Sequence, residues 1–284
     1  MTHAMDVEAA HLETCAACGT PSAAAFPQPV SYVYALGSIE ARFPNLGLEK
    51  EFAQVAAQAD TSGLTDRELL RELLSQPANR YIARQLCWVL TIEGLDTYIL
   101  LPRDPADLDL LVEALRPTPS SGDLDIVIGL RGPIATPEMC NGLVVPIVIF
   151  SQVYSFDVES LLESLPRPDE IPAAEFKRAA QELFARIAQL TDNAGSADEH
   201  RALNYLTVRY PAVYAKAAEQ LARDFALTGV DVRPSPLSST RKVADVVLAF
   251  TNRTTDFTEK FLVRVDVTEE FPFLVTKLSP YYDR

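Results

Sequence analysis

Apolar residues in this chain gather in short runs, and the longest, such as Leu143 to Phe150, spans about one buried strand. A membrane helix needs roughly 20 such residues in succession, so no segment reads as a bilayer span. Two later segments differ in character. Ala173 to Leu190 and Glu199 to Phe225 are long, alanine-rich and amphipathic, with Pro211 set to kink the second. Beyond them apolar and polar residues alternate on both sides of Asn252 to Thr258, the pattern of a long two-stranded hairpin. Strands, then helices, then strands predict an α+β class, with a mixed, largely antiparallel sheet and a long C-terminal helical pair. No internal repeat interrupts this order.

Local signals refine the reading. Residues 1–29 lack a sustained period and read as a tail or linker, followed by one α+β domain over 30–284 whose best internal boundary is the Pro166 to Pro172 stretch. VSYVYALG, from Val30, reads as a strand ending at Gly37. Helices are expected over 46–59, over Asp66 to Ser75, and over Ala78 to Leu86 after a break at Pro77. CWVLTIEGLDTYILLP reads as a hairpin turning at Glu93-Gly94. Asp104 and Pro105 then open a helix as N-cap and first helical residue. Two buried-looking strands, LDIVIGL and LVVPIVIF, follow on either side of a Pro- and Gly-punctuated loop that holds Cys140. Pro146 inside the second places that strand at a sheet edge or a bulge. Asp198 is the expected cap of the helix that follows TDNAGSAD.

With 284 residues, 48% of them hydrophobic, the chain can fill a substantial core. A formal net charge of −14 repels nucleic-acid phosphates and anionic lipid surfaces, so neither partner is expected. The Arg241-Lys242 pair is a small local exception that reads as a solvated strand start. The opening MTHAMDVEAAHLET carries acids and histidines where a secretory signal has a basic start and an apolar stretch, and a cytoplasmic location is expected.

In that compartment a disulfide framework is not expected for the four cysteines, because reductants keep thiols reduced. Cys15-Ala-Ala-Cys18-Gly is instead half of a zinc knuckle, since two thiolates three residues apart reach one tetrahedral ion and the glycine eases the turn. Cys87 and Cys140 complete a candidate four-thiolate set for a structural zinc. Two readings stand beside it: Cys87 as an ordinary buried thiol, with His11 as a substitute ligand, or Cys15 and Cys18 as a redox pair, which lacks the strand-to-helix setting such chemistry uses.

No G-x-S-x-G, Walker loop, dinucleotide fingerprint or H-E-x-x-H occurs. Ser239-Thr-Arg-Lys242 has the S-x-x-K spacing but begins a strand. His200 lies close in sequence to Asp192, Ser196, Asp198 and Glu199, which offers base, nucleophile and orienting acid by type. Asp123 and Asp125 flank a strand start, where paired acids serve a metal, acid–base chemistry or plain solvation.

Taken together, YALGSIEARFPNLGLEKEFAQ, RGPIATPEMCNGL, TDNAGSADEHRALNYL and VRVDVTEEFPFLVTKLSPYYDR resemble the C-terminal domain of unknown function of the cyanobactin maturation protease PatG. The resemblance covers about residues 30 to 284 and favours the four cysteines as family-like positions. It implies a place in the maturation of ribosomal cyclic peptides such as patellamides and brings no catalytic residues with it. The expected function is a non-catalytic accessory module that binds the precursor peptide or another biosynthetic enzyme, or that self-associates as a homodimer. An unfamiliar enzyme acting on the peptide around His200 is the alternative.

Overall fold

A computed structural model describes residues 30–59, 63–120, 122–188 and 192–282. The first strand, β1 (Tyr32–Arg42), leads into three helices, α1 (Leu46–Ala56), α2 (Asp66–Ser75) and α3 (Arg80–Ala83). Their starts are written locally. The Asn45 side chain accepts the Leu48 N–H at 3.0 Å, and Thr65 with Glu68 closes a reciprocal capping box at the head of α2. Pro77 ends α2 and opens a short 3-10 turn before α3.

Strands β2 (Cys87–Ile92) and β3 (Leu95–Pro102) then form the expected hairpin, with positive φ at both Glu93 (50°) and Gly94 (79°). Asp104 caps the next turn by accepting Ala106 N–H at 2.8 Å, and α4 (Leu108–Ala114) follows. Strands β4 (Asp123–Ile134) and β5 (Pro146–Asp157) complete a five-stranded closed barrel in the order β1-β2-β3-β5-β4. Every neighbouring pair is antiparallel except β3 and β5, which run parallel, with Ile99 beside Ile147 and Leu101 beside Ile149. This order and these directions are those of an OB-type barrel. Trp88, Leu90, Tyr98, Leu100, Val148 and Phe150 point inward, and α4 packs Leu108, Leu111 and Val112 into the same core.

Pro146 does not mark an edge, because β5 is paired on both sides, but it does mark a bulge, since the register with β4 shifts between Arg131 and Ile134, the partner of Pro146. Proline is tolerated there as the first residue of its strand.

The second half begins with α5 (Val158–Ser164) and α6 (Ala173–Ala188), then α7 (Asp198–Arg209) and α8 (Ala212–Ala222). The long second helix expected from the sequence is thus two helices broken at Tyr210-Pro211. Ala197 rather than Asp198 is the N-cap of α7, and Asp198 is its first helical residue. Strands β6 (Phe225–Pro234), β7 (Val243–Asn252), β8 (Thr258–Asp266) and β9 (Phe273–Tyr281) form an antiparallel sheet in chain order. The expected hairpin is the central pair, β7 and β8. Helices α6 to α8 cover one face of this sheet, packing Leu183, Leu206 and Tyr214 toward Val246, Phe250 and Val263. The fold is mixed α+β, as read from the sequence, with its strands in two sheets.

Helix α7 joins barrel and sheet within the compact unit formed by residues 31–284. Asn204 Nδ2 donates to Tyr34 O of β1 at 2.7 Å, and Tyr34 N–H donates to Gly195 O at 2.8 Å. On the sheet side, Arg201 Nη1 donates to Val267 O at 2.6 Å and Nη2 to Glu269 O, while the guanidinium lies over the Tyr32 ring.

Candidate functional site

The polar residues buried in this fold have structural tasks. Asp125 accepts Ile39 N–H at 2.8 Å and the Ser155 hydroxyl at 2.6 Å. Burial nevertheless raises its pKa above the ordinary carboxylate value. Its sequence neighbour Asp123 pairs with Arg116 at 2.8 Å, and Arg116 also donates to Phe156 O, so the two acids belong to a clamp that closes β4 against β5. Asp245 is held by Arg264 at 2.9 Å, and Asp266 by Arg241 and the Thr268 N–H. Both basic residues of the Arg241-Lys242 pair are engaged, since Lys242 meets Asp198 at 3.3 Å. No hydrogen bond links Lys242 to Ser239, although both line one shallow pocket with Asp198.

His200 sits on the first turn of α7, half-buried. Desolvation lowers its pKa below the ordinary histidine value, against the opposing pull of Glu199 and Asp192. No hydrogen bond joins it to Asp192, Ser196 or Asp198, and Asp198 turns instead to Arg201 at 3.5 Å and to Lys242. Asp192 and Glu199 are thus near enough to act on its charge, but no hydrogen bonds join base, nucleophile and acid into one constellation.

A cavity of about 380 Å³ opens between β1, the β2–β3 hairpin and α7. Sequence reasoning missed it, because its walls come from five separated segments, 36–40, 91–94, 123–124, Ile187 with Asn193, and 204–207. Asn193 Nδ2 donates to Asn204 Oδ1 across it at 2.7 Å, and the Thr91 hydroxyl is buried beside it without a partner. Its lining includes the Ser38 hydroxyl and the carboxylates of Glu40 and Asp123, which are paired with Arg42 at 2.9 Å and Arg116 at 2.8 Å. Such walls can hold a small polar group.

The structure brings two of the four cysteines together. Cys87, at the first position of β2, and Cys140, in the loop before β5, are linked Sγ to Sγ with their Cα atoms 5.7 Å apart. The expectation that disulfides are absent is corrected for this pair, which the topology makes neighbours although 53 residues separate them. Cys15, Cys18 and His11 lie outside the described residues. Among the described residues no group of three or more His, Cys, Asp or Glu side chains is placed to hold a metal ion.

Cys140 belongs to a small apolar cluster on the outside of the barrel. Val89 of β2, Ile99 of β3 and Ile147 of β5 form its floor; Ala135, Leu143 and Val145 of the loop lie over them. Within the loop the backbone bonds to itself: Ala135 N–H to Val145 O at 2.9 Å, Gly142 N–H to Pro137 O at 2.7 Å and Leu143 N–H to Cys140 O at 2.9 Å. Asn141 (φ 47°) and Gly142 (φ 88°) make the reversal.

Fold and site together define an OB-type barrel joined to an antiparallel sheet, its buried polar groups engaged in holding that arrangement. Comparison with known proteins agrees with the resemblance read from the sequence. Residues 170–281 match the family model described as PatG C-terminal. A solved structure titled "PatG Domain of Unknown Function" superposes with a TM-score of 0.70 at 22% identity, covering 88% of this chain and 98% of that one. The chain therefore shares the fold of the PatG domain of unknown function. No curated protein matches it. No helix among the described residues is long and apolar enough to cross a membrane.

Proposed function

We propose that this chain is a non-catalytic accessory domain of cyanobactin biosynthesis that binds the precursor peptide or an enzyme acting on it. The observation that carries the reading is the use of the buried polar groups. Asp125, Asp245, Asp266, Arg201, Asn204 and Thr207 all spend hydrogen bonds on backbone groups, on neighbouring polar side chains or on a structural ion pair. A catalytic acid or base needs a group held near substrate with its proton free to move. The pathway comes from the likeness to PatG, and a cytoplasmic setting and a capacity to self-associate belong to the same proposal. Titrating the full chain with the precursor's leader and core peptides should give saturable binding. Absence of binding at high micromolar peptide, with no effect on the linked protease, overturns the reading.

A structural zinc is the second part of the proposal. When reduced, Cys87 and Cys140 offer two thiolates already side by side, as two ligands of one tetrahedral ion must be. Cys15 and Cys18 supply the other two. Native mass spectrometry should show one zinc per chain, lost with a strong chelator and in Cys15→Ser or Cys140→Ser. A metal-free mass in protein purified without chelator or acid removes this part and leaves the linked pair as a plain staple.

A further inference from the structure

In an OB-type barrel the outer surface of the second and third strands, between the loop joining strands one and two and the loop joining strands four and five, is where ligands lie. Here that surface is covered by the chain itself. Loop 135–145 connects β4 to β5 and rests on Val89, Ile99 and Ile147, and Cys140 at its tip is linked to Cys87, where the first loop ends. We infer that the outer face of β2, β3 and β5 is a peptide-binding face occupied by this loop, and that opening the Cys87–Cys140 link hands it to an apolar segment of another chain.

Three observations carry the inference. The loop is built as a lid: its hydrogen bonds close on themselves, its base is fastened by the Ala135–Val145 bond, and aliphatic packing and one sulfur link hold its body to the strands. The floor continues beyond the lid through Leu101, which is 39% exposed, and Ile149, so a longer apolar strip lies beneath and beside it. The present occupant is itself a peptide with Leu143 and Val145 as anchors, which states the chemistry of a replacement. Because β2, β3 and β5 are each paired on both sides, recognition there is by side chains and not by strand addition. Aliphatic residues without a basic or aromatic partner do not suit a nucleic acid.

The opening step is thiol–disulfide exchange with a small dithiol. One thiolate of the dithiol attacks a sulfur of the link and forms a mixed disulfide. Its second thiolate then displaces the protein sulfur, the reagent leaves as a cyclic disulfide, and two electrons and two protons remain as the Cys87 and Cys140 thiols. This inference deepens the peptide-binding reading above, and the test separates the two.

The full chain is followed by hydrogen exchange with and without dithiothreitol. The probe is a fluorescent peptide of residues 134–145 carrying Ser in place of Cys140, added to wild type and to the lid variant Cys140→Ser/Leu143→Asp. Reduction should speed exchange across 135–145 by roughly tenfold or more while β2 and β3 stay protected, as expected for local opening. The lid variant should bind the probe at least about tenfold more tightly than oxidised wild type, about 1.4 kcal/mol. A lid that stays protected after reduction, or a lid variant that is folded by exchange and still does not bind, overturns the inference. Opening by a chelator and not by dithiothreitol assigns the clamp to metal, which overturns the dithiol step and leaves the zinc proposal standing. Probe binding by a chain that ignores the precursor peptide keeps this inference and removes the proposed function.

Discussion

Arg201 ties α7 both to β1 and to the segment after β8. It is 2% exposed, its burial lowers the pKa from the ordinary arginine value against the pull of Asp198, and its guanidinium reaches the carbonyls of Val267 and Glu269 while lying on Tyr32. Removing a buried charged donor leaves those carbonyls unpaired, at about 1–3 kcal/mol for each group. Arg201→Met should therefore cost roughly 2–4 kcal/mol in a denaturant melt; a change below about 0.5 kcal/mol would show that water replaces the guanidinium. Asp266 carries a pH signature. Burial pushes its pKa up, yet the Thr268 hydroxyl and N–H and the Arg241 side chain outweigh that, and the folded value lies below the ordinary 3.8. A depressed carboxylate pKa stabilises the fold fully above 3.8, and that contribution is lost as pH falls through the folded value. Asp266→Asn should lower stability at neutral pH and flatten the acid limb of the stability curve. A parallel downward shift at every pH would assign the loss to packing alone. His200→Ala, by contrast, should leave both peptide processing by the linked enzymes and the melt unchanged; an altered product profile would revive the catalytic alternative.

At the scale of elements, what was legible in the sequence had a local cause. The β2–β3 hairpin follows from Glu93-Gly94, the start of α2 from its cap, the 3-10 turn before α4 from Asp104 and Pro105, and the break before α8 from Pro211. What was not legible depends on distant partners. Pro146 read as an edge or a bulge because proline lacks a donor; the bulge is present, while barrel closure, a nonlocal event, decided that β5 pairs on both sides. β6 was hidden because Phe225 continues an alanine-rich helical pattern, and Gly229, at a register shift, interrupts its alternation. β9 ends next to Pro280 and alternates weakly. For the cysteines the residue type was informative and the pairing was not, since only the barrel brings Cys140 to Cys87. The loop before α7 offers a direct check. Gly195 has φ 70°, and a Cβ there would meet Tyr34 O at 2.4 Å, so Gly195→Ala combines backbone strain with a clash. It should cost about 2 kcal/mol or more, whereas an unchanged melt would mean that the loop swings free of β1 without penalty.

For the whole molecule, the hydrogen bonds from α7 and its preceding loop to both β1 and the segment after β8 make barrel and sheet mutually dependent. One cooperative thermal transition is expected for the described fold, with fluorescence from Trp88 in the barrel and far-ultraviolet circular dichroism moving together. Separate midpoints would show that the two halves unfold independently.

The two outer strands of the C-terminal sheet are not equivalent. Along β9, Leu278 N–H donates to the Tyr210 hydroxyl at 3.0 Å, so a phenol already occupies part of its free rim; β6 pairs only with β7. Growth into a fibril needs two rims that accept strands, one to add to and one to offer. A sheet with one phenol-capped rim joins a second copy only through like edges, about a twofold axis, and the addition then stops. One tyrosine hydroxyl thereby limits what a four-stranded sheet can polymerise into.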